Sequence, residues 1–351
     1  MRAAVFEGPG ELSVDDIPDP VAAPDGIVIA VDACGICGSD LKTYRSGRLA
    51  RPGQVLGHEF VGRIVEVGSD VRDLAIGELV TALPYVPCTE CARCASGRTS
   101  LCETAFRSSI ANGLPGGFAE YLHLPGARRD ETVFALPDDL APGSGALVEP
   151  LAVGVHAVEL AMVEPDSVVV VLGLGTVGQA VVLALRAAGV RHVIATDLSP
   201  KRCEAARSAG ATVVTGSTDD IIAAVSAITG RGAYGAPAAC DAIIDCAGVA
   251  PLITGVMPAL RGGGSLVLAA LHDQPFPVDA TSIVRRGVRV VGTFGYDDDF
   301  RRAAALVASG DVSADDLVTH RFGLEHITEA FEAQADAGSS VKVLVQPGGT
   351  S

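Results

Sequence analysis

One stretch restricts the possible folds more than any other: Val168-Val-Val-Val-Leu-Gly173-Leu-Gly175-Thr-Val-Gly178. Its unbroken β-branched run, Ser167–Leu172, predicts a strand buried on both faces, as in a parallel sheet covered by helices. The Gly-x-Gly-x-x-Gly that follows opens a helical stretch, and an acid, Asp197, comes nineteen residues after Gly178. The glycines alone are a weak motif. With a strand before, a helix after and an acid at that distance, they form a dinucleotide-binding fingerprint. Gly173 allows the tight turn, Gly175 lets the backbone approach a pyrophosphate, and Gly178 lets helix and strand pack closely. The N–H groups of the helix start, Thr176 and Val177, then face the phosphates. Asp197 is placed to accept hydrogen bonds from the adenosine ribose and to repel a 2′-phosphate, so NAD is expected over NADP. Lys201 and Arg202 lie near enough to reach a phosphate and moderate that preference. An ordinary strand–helix turn is the bland alternative; the pattern around the motif argues against it.

That pattern is an alternation of strands and helices. Further strands are expected at His192–Thr196, Thr212–Val214, Ala242–Asp245, Ser265–Ala270 and Val288–Val291. Ser199-Pro200 reads as a helix cap followed by proline at the first helical position, and Gly210 closes that helix. Together these describe a doubly wound parallel sheet. The first 125 residues look different. Arg2–Phe6, Ile27–Val31, Val61–Val67, Leu79–Leu83 and Gly117–Leu124 read as short strands between turns, like a barrel or sandwich. Ala146–Met162 is an apolar helical stretch between the two regions. After Gly292 come a helix (Asp299–Ala308), a linker, a second helix (Leu324–Ala335) and a last strand (Val341–Val345).

Two groups of residues suggest metal. Cys88, Cys91, Cys94 and Cys102 stand within fifteen residues that could pack no core. Four thiolates with no open position make a structural zinc site, saturated and a poor Lewis acid. The second group is dispersed. Cys34-Gly-Ile-Cys37-Gly-Ser39-Asp40 sets a thiolate, a hydroxyl and a carboxylate close together, and Gly57-His58-Glu59 follows. Cys37 and His58 are expected ligands of a catalytic zinc, with either Glu59 or Glu149 as a third. Glu149 lies in an apolar run, where burying an unpaired carboxylate is costly, although a carboxylate at a helix start is the plainer reading. A lone His58 would more often be a satisfied loop histidine; its combination with Cys37 favours the metal. Cys34 and Cys37 form Cys-x-x-Cys without the βαβ context of a redox pair, so Cys34 is read as buried. Cys203, Cys240 and Cys246 and the remaining histidines are read as structural.

Composition excludes some functions. The net charge is −16, from 42 acids against 26 bases. Such a chain has no general affinity for nucleic acid or anionic membrane. No apolar run is expected to reach the length needed to span a bilayer, and the first residues contain no signal-peptide pattern. The expected location is cytoplasmic, where cysteines are ligands or core residues more often than disulfides.

In combination these features resemble the zinc-dependent medium-chain alcohol dehydrogenases, over essentially the whole chain. The matching pieces are Cys37-Gly-Ser-Asp40, Gly57-His58-Glu59, the four-cysteine lobe, Glu149-Pro150-Leu-Ala-Val-Gly-Val-His156 and Gly173–Gly178. Glu149-Pro150 is similar to the polyol, butanediol and threonine dehydrogenase branch. Gly292-Thr-Phe-Gly-Tyr296 and Leu317-Val-Thr-His-Arg-Phe322 are most similar to the butanediol type. The resemblance implies an α/β protein in which a GroES-like β-barrel catalytic domain (1–150 with 291–351) carries an inserted Rossmann coenzyme domain (151–290). It implies two zinc ions per chain and a homodimer or homotetramer. It assigns the catalytic zinc to Cys37, His58 and Glu149, with Glu59 joining when substrate is absent. Asp40 supports His58, and Ser39 takes the proton of the alcohol. The expected reaction is reversible oxidation of a secondary alcohol, a vicinal diol or polyol, to a ketone, with hydride passed to NAD and domain closure excluding water.

Two positions depart from the family pattern. Lys42 stands where many relatives have a histidine that relays the proton, and an ordinary lysine is protonated at pH 7. Either its site lowers its pKa or water relays the proton. Gly295 stands where sorbitol-type relatives have arginine, which weakens a sorbitol assignment. The alternatives are an L-threonine or amino-alcohol dehydrogenase and, in another class, a catalytically silent NAD-binding protein with structural zinc only. A zinc-free quinone reductase would lack the ligand residues, which are present here.

Overall fold

The structure, a computed structural model, describes residues 1–48, 50–230, 239–272 and 274–348. The chain separates into two compact units, Met1–Pro150 with Asp297–Ser351, and Leu151–Tyr296.

The strands of the first unit before the insertion are β1 (Arg2–Gly8), β2 (Glu11–Asp16), β3 (Ile27–Gly35), β4 (Gln54–Val55), β5 (Glu59–Val67), β6 (Leu79–Ala82), β7 (Tyr121–Leu124) and β8 (Val133–Ala135). The second unit supplies β9 (Val168–Leu172), β10 (His192–Thr196), β11 (Thr212–Val213), β12 (Cys240–Asp245), β13 (Leu260–Leu268) and β14 (Arg289–Gly292). The chain then returns to the first unit with β15 (Val318–Gly323) and β16 (Lys342–Gln346).

In the first unit a sheet of order β15-β16-β3-β5-β6-β8, with β7 also on β3, lies beside a small sheet of order β2-β1-β4. Ala4, Phe6, Ile29, Phe60, Ile64, Phe118, Phe331 and Val343 are among its core residues, all almost fully buried. Aromatics are only 4% of the chain, and Phe118 and Phe331 meet edge to face with ring centroids 5.6 Å apart. The antiparallel pairing of β3 with β5 sets Gly35 opposite Glu59 and Cys34 opposite Phe60. The returning strand β16 pairs with the end of β3, Leu344 opposite Gly35.

The second unit is the doubly wound sheet expected from the alternation. Its order is β11-β10-β9-β12-β13-β14, all parallel. The central strand β9 is buried along its whole length, which is why it carries no polar residue.

Three elements differ from the sequence-based expectations. Cys37–Asp40 opens a helix, Gly38–Ser46. The linker after Val312 contains β15, which pairs in parallel with β16; its alternation over Val318–Gly323 is broken by His320 and Arg321, which hides it. Ser144–Ala161 is long and apolar enough to cross a membrane by length and composition, contrary to the expectation of no such run, and 67% of it is buried within the protein.

Candidate active site

The first site is built where β3 ends and β5 begins. Cys37 is the N-cap of the helix Gly38–Ser46, with extended backbone angles. Its N–H donates to Asp40 Oδ2 at 2.9 Å, while its side chain caps the Asp40 N–H. This reciprocal arrangement resembles a capping box with a thiol in place of a hydroxyl. It fixes both the Cys37 sulfur and the Asp40 carboxylate. Gly57 has φ +93°, a turn that a side chain would strain, and it delivers His58 to the start of β5. Ligand atoms of Cys37, His58 and Glu59 lie within 4.8 Å of one another. Asp40 is 3% exposed, and its Oδ1 stands 3.6 Å from His58 Nδ1. Nδ1 therefore faces a carboxylate, which makes Nε2 the nitrogen better placed for a metal. Burial pushes the His58 pKa down, but Asp40 and Cys37 outweigh it and hold the ring well above its ordinary value. A divalent cation at this cluster would displace that proton.

Glu59 meets an unexpected partner. Its Oε2 is ion-paired with the Nζ of Lys342, and both side chains are essentially without solvent contact. The same ammonium donates to Ile36 O at 3.0 Å. Burial opposes the charge on Lys342, yet Glu59, Cys37 and Glu149 together raise its pKa. Glu149, in the first turn of the helix Val148–Ala161, is half-buried. It acts on Lys342 but does not join the group formed by Cys37, His58 and Glu59. Ser39 and Lys42 are both exposed, three positions apart in the helix Gly38–Ser46. Cys34 is fully buried, its thiol raised by burial. No sequence signal singled out Lys342. It stands in an alternating final strand, where a lysine reads as facing solvent.

The second group also gathers. Cys88, Cys91, Cys94 and Cys102 bring their sulfurs within 4.8 Å of one another. Cys88 Sγ and Cys94 Sγ are 3.9 Å apart, far beyond a disulfide and close to the roughly 3.8 Å edge of a tetrahedron with Zn–S bonds of about 2.3 Å. The Cys88 N–H points at Cys102 Sγ (3.3 Å) and the Cys91 N–H at Cys88 Sγ (3.4 Å), contacts that favour thiolate. Burial works against ionisation of Cys102, but Thr104 and the Cys88 N–H bring its pKa to about 6. Cys94 goes the other way, pushed up to about 12 chiefly by burial; a coordinated cation would deprotonate it. The donor set and its spacing fit zinc.

In the second unit, the glycine loop fits a dinucleotide. Gly173 has φ +87°. A Cβ on Gly178 would collide with the Gly173 carbonyl, so the helix lies against the turn only because none is there. A Cβ on Gly175 would meet nothing nearer than Arg202 Nη1 at 3.8 Å, so open space lies over that backbone. Thr176 and Val177 begin the helix Thr176–Ala187. Asp197, just after β10, accepts from the Leu174 N–H (2.7 Å) and the Ser199 N–H (2.8 Å). Its carboxylate is thus tied to the glycine loop itself.

Comparison with known proteins agrees with this architecture. Residues 23–138 match the alcohol dehydrogenase GroES-like domain and residues 176–309 the zinc-binding dehydrogenase domain. The chain is 33% identical to sorbitol dehydrogenase of Bacillus subtilis (strain 168), covering 99% of this chain and 97% of that protein. The chain belongs to the zinc-dependent medium-chain alcohol dehydrogenases. It is therefore an oxidoreductase acting on CH–OH groups of small molecules. Another family member, (R,R)-butanediol dehydrogenase of the same organism, is 32% identical over 99% of this chain and all of that one. Among solved structures, a Sinorhizobium meliloti 1021 protein described as a zinc-binding dehydrogenase and bound to NADP superposes with a TM-score of 0.87 at 34% identity, covering 99% of both chains.

Proposed function

We propose that this dehydrogenase catalyses reversible oxidation of a vicinal diol or polyol at a secondary carbon, giving a ketone, with NAD as hydride acceptor. The observation that carries the reading is the meeting of Cys37, His58 and Glu59 at the β3–β5 ends, beside a helix that presents Ser39. Relatives named for sorbitol and (R,R)-butanediol support the substrate class.

Bound there, zinc would supply a Lewis acid that makes the alcohol a stronger acid. Cys37, a neutral His58 and one carboxylate, Glu149 or Glu59, would hold it. Asp40 orients the imidazole and fixes its tautomer. Ser39 relays the alcohol proton, its hydroxyl oxygen accepting it while its own hydroxyl proton passes outward. Lys42, three residues further along the helix, stands on the proton's route outward, directly or beside a water. Bound nicotinamide would supply the hydride acceptor. Gly173, Gly175, Thr176, Val177 and Gly178 form the phosphate cradle, and Arg202 adds positive charge at Gly175. Asp197 accepts the adenosine ribose hydroxyls and disfavours a 2′-phosphate, which supports NAD over the NADP carried by one solved neighbour.

The test combines metal analysis with a substrate panel. Two zinc ions per chain are expected, one for each group. A single zinc would overturn the catalytic reading and leave an NAD-binding protein with a structural metal. Vicinal diols, polyols and L-threonine, each with NAD⁺ and NADP⁺, are followed by absorbance of the reduced cofactor. Turnover confined to threonine would overturn the diol assignment. Sedimentation measures the homodimer or homotetramer that is part of the same proposal.

A further inference from the structure

We propose that Lys342 is a positioning residue that sets the coordination of the catalytic metal, engaging Glu59 so that this carboxylate stays out of the resident ligand set and a position remains open for the alcohol. The inference rests on the proposed zinc site.

A carboxylate beside a zinc ion, within 4.8 Å of two ligand atoms, ordinarily joins the coordination shell, since its own burial otherwise leaves a charge uncompensated. Glu59 is 1% exposed, so this pressure applies in full. It is relieved by a second cation that the chain provides. Lys342 is 0% exposed and ion-paired with Glu59 Oε2. Its ammonium is fixed by another contact, to Ile36 O at 3.0 Å, on the residue just before Cys37.

The backbone is shaped around this pair. The N–H of Ile36 donates to Val343 O at 3.1 Å, and Leu344 is registered on Gly35. Lys342 is therefore positioned by strand pairing, not by side-chain flexibility. Gly35 completes the fit: a Cβ there would lie 2.6 Å from Lys342 Cε and 3.0 Å from its Nζ, and would collide with Glu59. Any other residue at 35 would force the pair apart.

With Glu59 neutralised by Lys342, Cys37 and one further carboxylate would balance the charge of a bound Zn²⁺; Glu149, outside the group formed by Cys37, His58 and Glu59, would move in to be that carboxylate. Glu59 is held as a near neighbour that can swing in only if it leaves its lysine. Lys342 thus decides which of the two glutamates is the lasting ligand.

The test uses the full chain loaded with Co²⁺, reading the visible absorption of the Cys37 site as the difference from Cys37→Ser protein loaded alike. Lys342→Met keeps the volume and removes the charge. Glu59 should then ligate, so the Co²⁺ bands weaken as four-coordination becomes five. Loss of the metal to a chelator should slow by about tenfold, the order by which groups around a ligand alter metal affinity, here toward tighter holding because a carboxylate ligand is added. Lys342→Arg should restore the four-coordinate spectrum, and the double variant Lys342→Met/Glu59→Gln should return to it as well. An unchanged spectrum in Lys342→Met, or faster metal loss, would overturn the proposal. Should Lys342→Met not fold, Glu59→Gln alone decides: unchanged metal content and spectrum support the proposal, and loss of the metal refutes it. Absence of any Cys37-dependent Co²⁺ bands in the unmodified protein is a separate failure, that of the zinc site itself.

Discussion

A partly buried imidazole resolves its charge by what faces it, and this chain contains both outcomes. His58 has Asp40 and Cys37 beside it and is raised. His123, on β7, is lowered by burial, which outweighs the carboxylates of Asp25 and Glu66. Its Nε2 lies 3.3 Å from the Ala23 N–H and accepts from it only when unprotonated. A base whose folded pKa lies below its unfolded value contributes stability that is present above the unfolded value, about 6.5, and is lost as pH falls through the folded one. The melting temperature should therefore drop more steeply between pH 7 and 5 in the wild type than in His123→Gln, whose amide oxygen can accept at any pH. Parallel curves would show that His123 contributes nothing. At the metal group, Cys37→Ser should remove one zinc per chain. It should also lower kcat by about a thousandfold or more, since Lewis-acid stabilisation amounts to several kcal/mol and each 1.36 kcal/mol is tenfold. NADH binding, followed by its fluorescence, should persist; retained turnover would refute the metal role. The four-cysteine group was legible because its ligand types and spacing are local signals, whereas Cys37 and His58, far apart in sequence, were legible only in combination. Lys342 was not. Its partner lies 283 positions away in sequence, and only the return of β16 to β3 reveals that its side chain points inward.

At the level of elements, the strand–loop–helix at Val168–Gly178 was the easiest to read because its constraints are all short-range. Two glycines of that loop should respond differently to substitution. Gly178→Val puts atoms where the Gly173 carbonyl stands. Overpacking of this kind costs about 1–3 kcal/mol, so the melting temperature should fall and NADH affinity with it. Gly175 has φ −64° and open space above it, so Gly175→Ala should melt like the wild type while binding NADH at least about tenfold more weakly, because its methyl occupies the approach of the pyrophosphate. Equal melting temperatures for both variants, or wild-type NADH affinity in Gly175→Ala, would contradict the assigned roles. The helix Gly38–Ser46 escaped sequence reading for an instructive reason. Its cap is a cysteine, which is not a usual capping residue, and Gly38-Ser39 at its start reads as a turn. What makes it a helix is the Cys37–Asp40 reciprocal bonding, the same contact that orders the candidate ligand. β15 escaped because its pairing is with a strand that follows it by some twenty residues through a helix, so no hairpin signal marks it.

Across the whole chain, the proposed metal and dinucleotide sites fall in different units, each with a core of its own. A ligand that binds only the folded state stabilises it by RT ln(1 + [L]/Kd), about 2.7 kcal/mol at a hundredfold excess over Kd. Local opening in one unit need not expose the other, so protection should be partitioned. Hydrogen exchange read by peptide mass should show NADH slowing exchange at β9, β10 and the helix Thr176–Ala187. Zinc removal should speed it at 88–102 and around Cys37–Asp40 and Gly57–Glu59. The four-cysteine segment should respond most strongly to chelation. Apart from Cys102 and Ser100, residues 88–102 are exposed or half-buried, so on the proposed structural site thiolate–metal bonds would add to the loop's own backbone hydrogen bonds in ordering them. Exchange at 88–102 that is indifferent to zinc would mean that the loop is ordered by its own hydrogen bonds. The cysteines would then need another explanation, and the count of two metals per chain would fall with the structural site.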